Sequence, residues 1–388
     1  MILKRIAAEN FRNIKKAELE FCPGLNIFYG DNAQGKTNML EALSVCLGRS
    51  FRRARPQSFK PFGEAASVDA SGGSGTRLTL SYEPDALPGR ENTVCYRLSG
   101  IKADADINGV PLKSAADLYG ELKHVVFVPE HLSLVKGAPE LRRFYIDNIA
   151  VMQSRAHKRA AADYSAALKQ LNALNGELMS GRACYSSHDT AGVWNDILIR
   201  QGINLTYGRL KYFEMLREHA IRLYDELTIG KEALDIIYRS DVFGDISGAS
   251  PDFSDKDGLY QMYADKLRAQ EYSRHDFRIK AGAHRDDIIF TINGVNAREF
   301  GSQGQVKSLS LILKLAEAEI IRSYNNENPV ILLDEVLGEL DGTRRDFITN
   351  RLGKAQVFIT SCDYRDFENT GDLRVWSVKD GGFYPYRR

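Results

Sequence analysis

No apolar run in this 388-residue chain approaches the ~18 residues that a membrane-crossing helix needs. The opening segment MILKRIAAENFRN also lacks the long apolar core of a leader, so the expected setting is the cytoplasm, with no membrane partner. Cysteine is sparse. Cys22, Cys46, Cys95, Cys184 and Cys362 are odd in number, dispersed and without a CxxC pair, which disfavours a disulfide framework or structural zinc and fits a reducing compartment. The 7 histidines are scattered and none forms HExxH, removing the zinc-protease class. An excess of one charge is missing too: 52 Lys and Arg face 51 Asp and Glu, so any anion-binding surface must be local. No NKxD motif reads guanine. No helix-turn-helix, zinc-finger or basic-zipper pattern reads DNA sequence. What is present is 43% hydrophobic and 10% aromatic residues, enough to bury full cores in two or three domains.

The near end of the chain alternates short strands with one helix. Ile2–Ala8, Ala17–Phe21 and Leu25–Tyr29 read as strands, and Thr37–Leu47 as a helix with Met39, Leu40, Leu43 and Leu47 on one face. Between them lies GDNAQGKT, Gly30-x4-Gly35-Lys36-Thr37. Glycines let successive backbone N–H groups converge on phosphate oxygens. The following helix adds its N-terminal donors and positive dipole end. Lys36 is placed to reach the β and γ phosphates, and the Thr37 hydroxyl to ligate magnesium. ATP and Mg2+ are therefore the expected cofactors, held by Gly30, Asp31, Asn32, Ala33, Gln34, Gly35, Lys36, Thr37 and Asn38.

Further on, Leu78–Tyr82 and Thr93–Leu98 read as strands, Asn108-Gly109 as a tight turn, and Val125–Val128 as a short strand. From Pro139 the character changes to helix: Leu141–Met152 continuing into Ala156–Leu174, then Val193–Leu227 with weak points at Gly202 and Gly208, then Asp255–Tyr272. Ile288–Ile292 and Val295–Phe300 form a hairpin about Asn293-Gly294. Val306–Tyr324 is helix, Val330–Leu333 a buried strand, Asp341–Leu352 helix, Val357–Thr360 a strand and Arg374–Val378 a last strand.

The second chemical feature sits at that buried strand. Asp334 and Glu335 emerge where ILLDE ends, an acid for the magnesium shell followed by one that polarises the attacking water. Thus Lys36, Asp334 and Glu335 are the catalytic candidates, and Thr37 and Asp334 the metal candidates. Shortly before it, Ser302-Gln303-Gly304-Gln305 opens a helix: Ser302 can cap it and Gly304 can admit an anion. A plain helix cap would account for the same residues.

Arg49, Arg52, Arg53, Arg55 and Lys60 crowd five basic residues together with no acid among them, a patch able to neutralise DNA phosphates without reading bases. A solvated face or contacts to nucleotide would use the same residues. His284, Arg285, Asp286 and Asp287 read as a salt-bridged turn or a domain junction in preference to a metal cluster.

Together these motifs resemble the ABC-type ATPase heads of the structural-maintenance-of-chromosomes class, and more closely the RecF family. ENFRNI, YGDNAQGKTNMLEAL, VKGAPELRRFYID, AGAHRDD, SQGQVKSLSL, LLDEVLGELD and QVFITS occur in that family's order across nearly the whole chain. The resemblance implies an α/β, ABC-type P-loop head built from both chain ends (1–130 and 276–388) around a mostly helical insertion (131–275). It implies a slow, DNA-stimulated ATPase that works as a switch. It further implies an ATP-dependent homodimer on double-stranded DNA or gap junctions, which with RecR and RecO helps load RecA in replication-gap repair and the SOS response. On that reading Ser302, Gly304 and Gln305 touch the partner's γ-phosphate, Asp341 lies in the cross-dimer loop, and Arg12 lies near the nucleotide. Two elements of the wider ABC pattern are missing. Ser361-Cys362-Asp363 stands where a switch histidine is usual, and VVFVPEH at Val125–His131 carries no glutamine. The rival reading is a scaffold that binds ATP and barely hydrolyses it.

Overall fold

The computed structural model describes residues 1–48, 50, 56–61, 75–179, 186–246, 251–270, 278–352, 355–362 and 372–386. The chain forms two compact units, Met1–His131 with Glu317–Arg388, and Leu132–Ala316. The first boundary lies one residue from the expected 130/131. The second falls at 316/317 instead of 275/276, for reasons that lie in strand pairing.

The first unit contains two sheets. One is six-stranded, in the order Gly382–Pro385, Leu373–Lys379, Leu25–Tyr29, Val357–Ser361, Val330–Asp334, His124–Phe127. Its five inner pairings are parallel apart from the first, which is an antiparallel hairpin. Val330–Asp334 and His124–Phe127 are buried along their whole length, so apart from Asp334 and His124 at their ends they read in sequence as apolar runs. The other sheet is antiparallel, in the order Ile14–Glu20, Ile2–Phe11, Thr76–Glu83, Asn92–Ser99, Lys102–Ile107, Val110–Pro111. Thr76–Glu83 shows the in–out alternation of a sheet with one face covered. The turn at Asn108-Gly109 has positive φ at both residues, 52° and 77°, matching the asparagine–glycine expectation. Lys102–Ile107 had no strand signal, since KADADI is half charged. It is held by antiparallel pairing to Asn92–Ser99 and by Arg97 donating to Asp106 at 2.5 Å.

Helix Lys36–Cys46 packs against strands of both sheets. The expected single apolar face is therefore a correction: Met39, Leu40, Ala42, Leu43, Val45 and Cys46 are all buried, as are Glu41 and Ser44. A helix covered on all sides needs no polar face. Buried Glu41 is matched by Arg12, whose guanidinium pairs with it at 2.6 Å, and by the Ser50 hydroxyl at 2.5 Å.

The second unit is more than a helical insertion. It holds the helices Pro139–Gln153, Arg155–Met179, Ser186–Thr228 and Lys256–Arg268, and also a four-stranded antiparallel sheet. In that sheet Leu234–Ser240 pairs with Gly244–Ile246 on one side and Asp287–Ile292 on the other, and Asp287–Ile292 pairs with Val295–Asn296. This pairing draws the segment beyond 276 into the second unit. LDIIYRS alternates buried positions with half-buried or exposed ones, a signal masked by the long helix before it. Val295–Phe300 is a strand for two residues only and then turns into the short helix Ala297–Phe300. The expected continuous helix across 141–174 is broken at Ser154, which is extended and whose hydroxyl accepts from His157 N–H at 3.2 Å.

Gly202 and Gly208 do not interrupt the 43-residue helix Ser186–Thr228. A Cβ at Gly202 would lie 2.4 Å from the Tyr263 hydroxyl, and one at Gly208 would lie 2.2 Å from His157 Nδ1. These glycines mark close packing. Among the described residues no helix is long and apolar enough to cross a membrane.

Candidate nucleotide site

The register of the parallel sheet brings three strand ends together. Ser361 lies beside Tyr29, and Thr360 lies between Phe28 and Asp334. The phosphate loop leaves the Leu25–Tyr29 strand, and the acidic pair leaves Val330–Asp334, with Val357–Ser361 between the two. Ligands of open parallel sheets gather at such carboxyl ends.

The loop's shape is set by its neighbours. Gly30 has φ 155°, and a Cβ there would lie 2.4 Å from the Val378 carbonyl; its N–H reaches Ser361 O at 3.4 Å. Gly35 has φ 112° in the left-handed region, and its missing Cβ leaves room for the Asn13 amide. Asn13 donates to Gln34 O at 3.2 Å and accepts from the Asn38 amide at 2.7 Å. From the other side Gly381 N–H donates to Gln34 O at 2.9 Å and Asp380 N–H to Gln34 Oε1 at 2.8 Å. The loop is clamped between two turns of the same unit. The helix it opens has no side-chain cap and no acid in its first turn, leaving its positive end open to an anion.

Lys36 is 2% exposed. Its ammonium donates to Gly30 O at 2.7 Å and Asp31 O at 3.0 Å, lies 3.4 Å from Cys362 Sγ, and is 3.7 Å from Glu335 Oε1. Thr37 Oγ1 donates to Asp334 Oδ1 at 2.8 Å, and Thr360 Oγ1 donates to the same oxygen at 2.8 Å. Glu335 follows with φ 56°, and its N–H donates to Thr360 Oγ1 at 2.9 Å. Asp334 is buried, while the Glu335 side chain is 47% exposed. The donor set around Thr37 and Asp334 is all oxygen, compact and backed by a carboxylate, which suits a hard cation such as magnesium.

Of the residues singled out in sequence, Gly30 to Asn38, Asp334 and Glu335 meet at this one place. Arg12 lies in the same unit with its guanidinium on Glu41 and 5.9 Å from the Phe59 ring; in that turn it is Asn13 that touches the loop. Asp341 caps helix Gly342–Leu352, accepting from Arg344 N–H at 2.9 Å and pairing with the Arg344 guanidinium, and that backbone donor holds its carboxyl below the ordinary range. Ser302 and Gln305 belong to the second unit and form a reciprocal cap. Gln305 N–H donates to Ser302 Oγ at 3.2 Å, and Ser302 N–H donates to Gln305 Oε1 at 2.9 Å. The Gln305 amide also donates to Glu232 Oε1 at 3.0 Å. Gly304 sits half-buried in the first turn. Arg49, Arg52, Arg53 and Arg55 lie outside the described residues; Lys60 is described and half-buried after the short helix Pro56–Phe59. Sequence reasoning passed over Asn13, Thr360 and the Asp380-Gly381 turn as parts of this site, while Cys362, named there only as standing where a switch histidine is usual, lies 3.4 Å from the Lys36 ammonium. None of them carries a local signal: Thr360 meets Asp334 only through the pairing of their strands.

A phosphate loop, an acidic strand end beside it and a second unit spliced between the chain halves define the head of an ABC-type ATPase. The family model described as "RecF/RecN/SMC N terminal domain" matches residues 2–381. Two SMC heads, from Pyrococcus furiosus and Pyrococcus yayanosii, superpose with TM-scores of 0.53 and 0.56 at 14% and 11% identity, a likeness of fold alone. Within that class the chain belongs to the RecF family. It is 34% identical over 392 residues to the DNA replication and repair protein RecF of Acetivibrio thermocellus, covering 99% of this chain and 100% of the relative. It is 31% identical to the RecF of Clostridium acetobutylicum, covering 100% of both. A solved recombination mediator protein RecF with ATP, from the RecFOR pathway, matches with TM-score 0.86 at 29% identity over 100% of this chain and 98% of that one.

Proposed function

We propose that this chain is an ATP-switched recombination mediator: a slow, DNA-stimulated ATPase that dimerises on double-stranded or gapped DNA and acts in the cytoplasm with RecR and RecO to load RecA during replication-gap repair and the SOS response. The observation that carries the reading is the meeting of Thr37 and Thr360 on Asp334, with Lys36 and Glu335 alongside, in a chain of RecF lineage.

Thr37 and Asp334 would hold magnesium, which when bound offsets phosphate charge. Lys36 leaves its two loop carbonyls for the β and γ phosphates as the loop N–H groups take the rest. Glu335, partly exposed beyond the strand end, accepts the proton of the attacking water. Gly30 to Asn38 form the cradle and Arg12 supports it from Glu41. Ser302, Gly304 and Gln305 complete the γ-phosphate shell of a second copy, with Asp341 at the facing loop. ATP thus joins two heads and hydrolysis parts them. Arg49, Arg52, Arg53, Arg55 and Lys60 are the proposed phosphate contacts on DNA. Cys362, in place of a switch histidine, favours slow turnover and keeps the ATP-binding scaffold as the second reading.

Sedimentation velocity with and without ATP, in parallel with gapped DNA, tests the switch. ATP should drive dimers, and Ser302→Arg should stop them while the monomer still binds ATP, beyond the ~1 kcal/mol lost with the helix cap. A Ser302→Arg protein that dimerises like wild type would reduce the SQGQ element to that cap. Wild-type protein that dimerises and holds ATP with no turnover on DNA would favour the scaffold.

A further inference from the structure

We infer that Thr360 is a positioning residue that couples the metal-binding acid to the general base, a role that rests on the ATPase reading of the site. Its hydroxyl is committed twice. It donates its one proton to Asp334 Oδ1 at 2.8 Å, and its lone pair accepts the Glu335 N–H at 2.9 Å. The side chain is 2% exposed, so water cannot replace either bond.

Each bond has a separate consequence. Asp334 Oδ1 receives two hydroxyls, from Thr37 and Thr360. For a cation to take Thr37 and Asp334 together, the Thr37 proton must turn away from the carboxylate; the Thr360 bond then remains and keeps that carboxylate from rotating. Without Thr360 the Asp334 oxygen keeps the Thr37 hydroxyl but loses the donor that opposes it, and the contact that a cation must displace is strengthened. The second bond fixes a strained turn. Glu335 has φ 56°, a conformation that disfavours any residue with a Cβ, and the chain leaves the strand at an angle that brings its carboxylate to 3.7 Å from Lys36 Nζ. Thr360 holds the amide that makes this turn. One hydroxyl therefore sets both the metal ligand and the direction of the base.

Threonine also suits the interior of a strand by its methyl group alone, and two substitutions separate the roles. Thr360→Val keeps shape and methyl but removes the hydroxyl; Thr360→Ser keeps the hydroxyl and removes the methyl. Both are compared with wild type by Mn2+ titration of the complex with a non-hydrolysable ATP analogue, followed by electron paramagnetic resonance, and by single-turnover hydrolysis of ATP. Thermal unfolding confirms that both fold. Thr360→Val should raise the Mn2+ midpoint about 10-fold, as expected for loss of a hydrogen bond to a charged group, and slow hydrolysis about 10- to 100-fold. Metal-free binding of the analogue should stay within about 2-fold, and Thr360→Ser should lie within about 3-fold of wild type in each measurement. A valine variant equal to wild type in both readouts, or a serine variant as impaired as valine, would overturn the inference. Wild-type protein with no Mn2+-dependent nucleotide binding would instead overturn the ATPase reading beneath it.

Discussion

Two clusters of charge, one in each unit, are built from similar residue types and end in opposite states. In the first, Lys36 rests on carbonyls of its own loop and Glu335 stands half in solvent, so its groups can exchange partners. In the second, Asp286 is fully buried and accepts from the Tyr238 hydroxyl at 2.6 Å, Asp241 N–H at 2.9 Å and Arg209 at 3.1 Å. Arg209 also forks onto Asp147 at 2.7 and 2.8 Å, and His157 Nε2 lies 3.0 Å from the same carboxylate. Beside them Arg142 forks onto Asp287 at 2.6 and 3.0 Å and donates to three carbonyls, of Leu134, Val135 and Gly137. A charge whose bonds are all made inside the protein fixes structure. One held by replaceable bonds is free to meet a ligand.

The contrast breaks most visibly by removing one cation from each cluster. Lys36→Ala should abolish ATP binding, by about 100-fold or more, and leave the unfolding midpoint close to wild type. Arg209→Ala should do the reverse. It leaves half-buried Asp147 and fully buried Asp286 without their shared partner and should lower stability by about 3–5 kcal/mol, read by urea unfolding. Loss of stability in the lysine variant comparable to that of the arginine variant would erase the distinction.

Packing supplies the next test. Gly208→Ala raises helix propensity by about 1 kcal/mol, yet its Cβ would fall on the His157 ring, which is held by Asp147. A net loss of about 1–3 kcal/mol is expected from thermal unfolding. A stabilised variant would mean that the ring gives way freely.

The smallest effect is in acid. Burial raises the Asp147 carboxyl, but the Arg209 charge and the bonds from Arg209 and His157 outweigh it and hold the group well below its ordinary 3.8. The unfolded chain therefore takes the proton first, and the stability Asp147 contributes is complete above about pH 5 and fades as pH falls below it. Asp147→Asn should be less stable than wild type at pH 7, with the gap narrowing by about 1–2 kcal/mol between pH 5 and pH 3 in urea titrations. A gap constant with pH would remove the ion pair from the account.

How far this was readable from sequence follows the same division. The phosphate loop and acidic strand were legible because their chemistry demands particular residues at fixed spacing, and Leu25–Tyr29, Val330–Asp334 and Val357–Ser361 because parallel strands buried on both faces are plainly apolar. Thr360 was not, since its meaning comes from register: it matters because it sits beside Asp334. Asn13 reaches the loop from a turn between two other strands, a contact no local pattern records. The unit boundary was misplaced because LDIIYRS pairs with a strand far along the chain. HRDD was legible as a salt-bridged turn, but not that Asp286 and Asp287 would bond to different helices, through Arg209 and Arg142.

On the proposed function, binding and proton transfer in the first cluster belong to different side chains. Single-turnover hydrolysis by Glu335→Gln, with ATP and magnesium binding measured on the same sample, tests it most directly. Affinity close to wild type with hydrolysis slowed about 100-fold or more is the predicted result. Hydrolysis at the wild-type rate, with ATP bound as tightly, would contradict it.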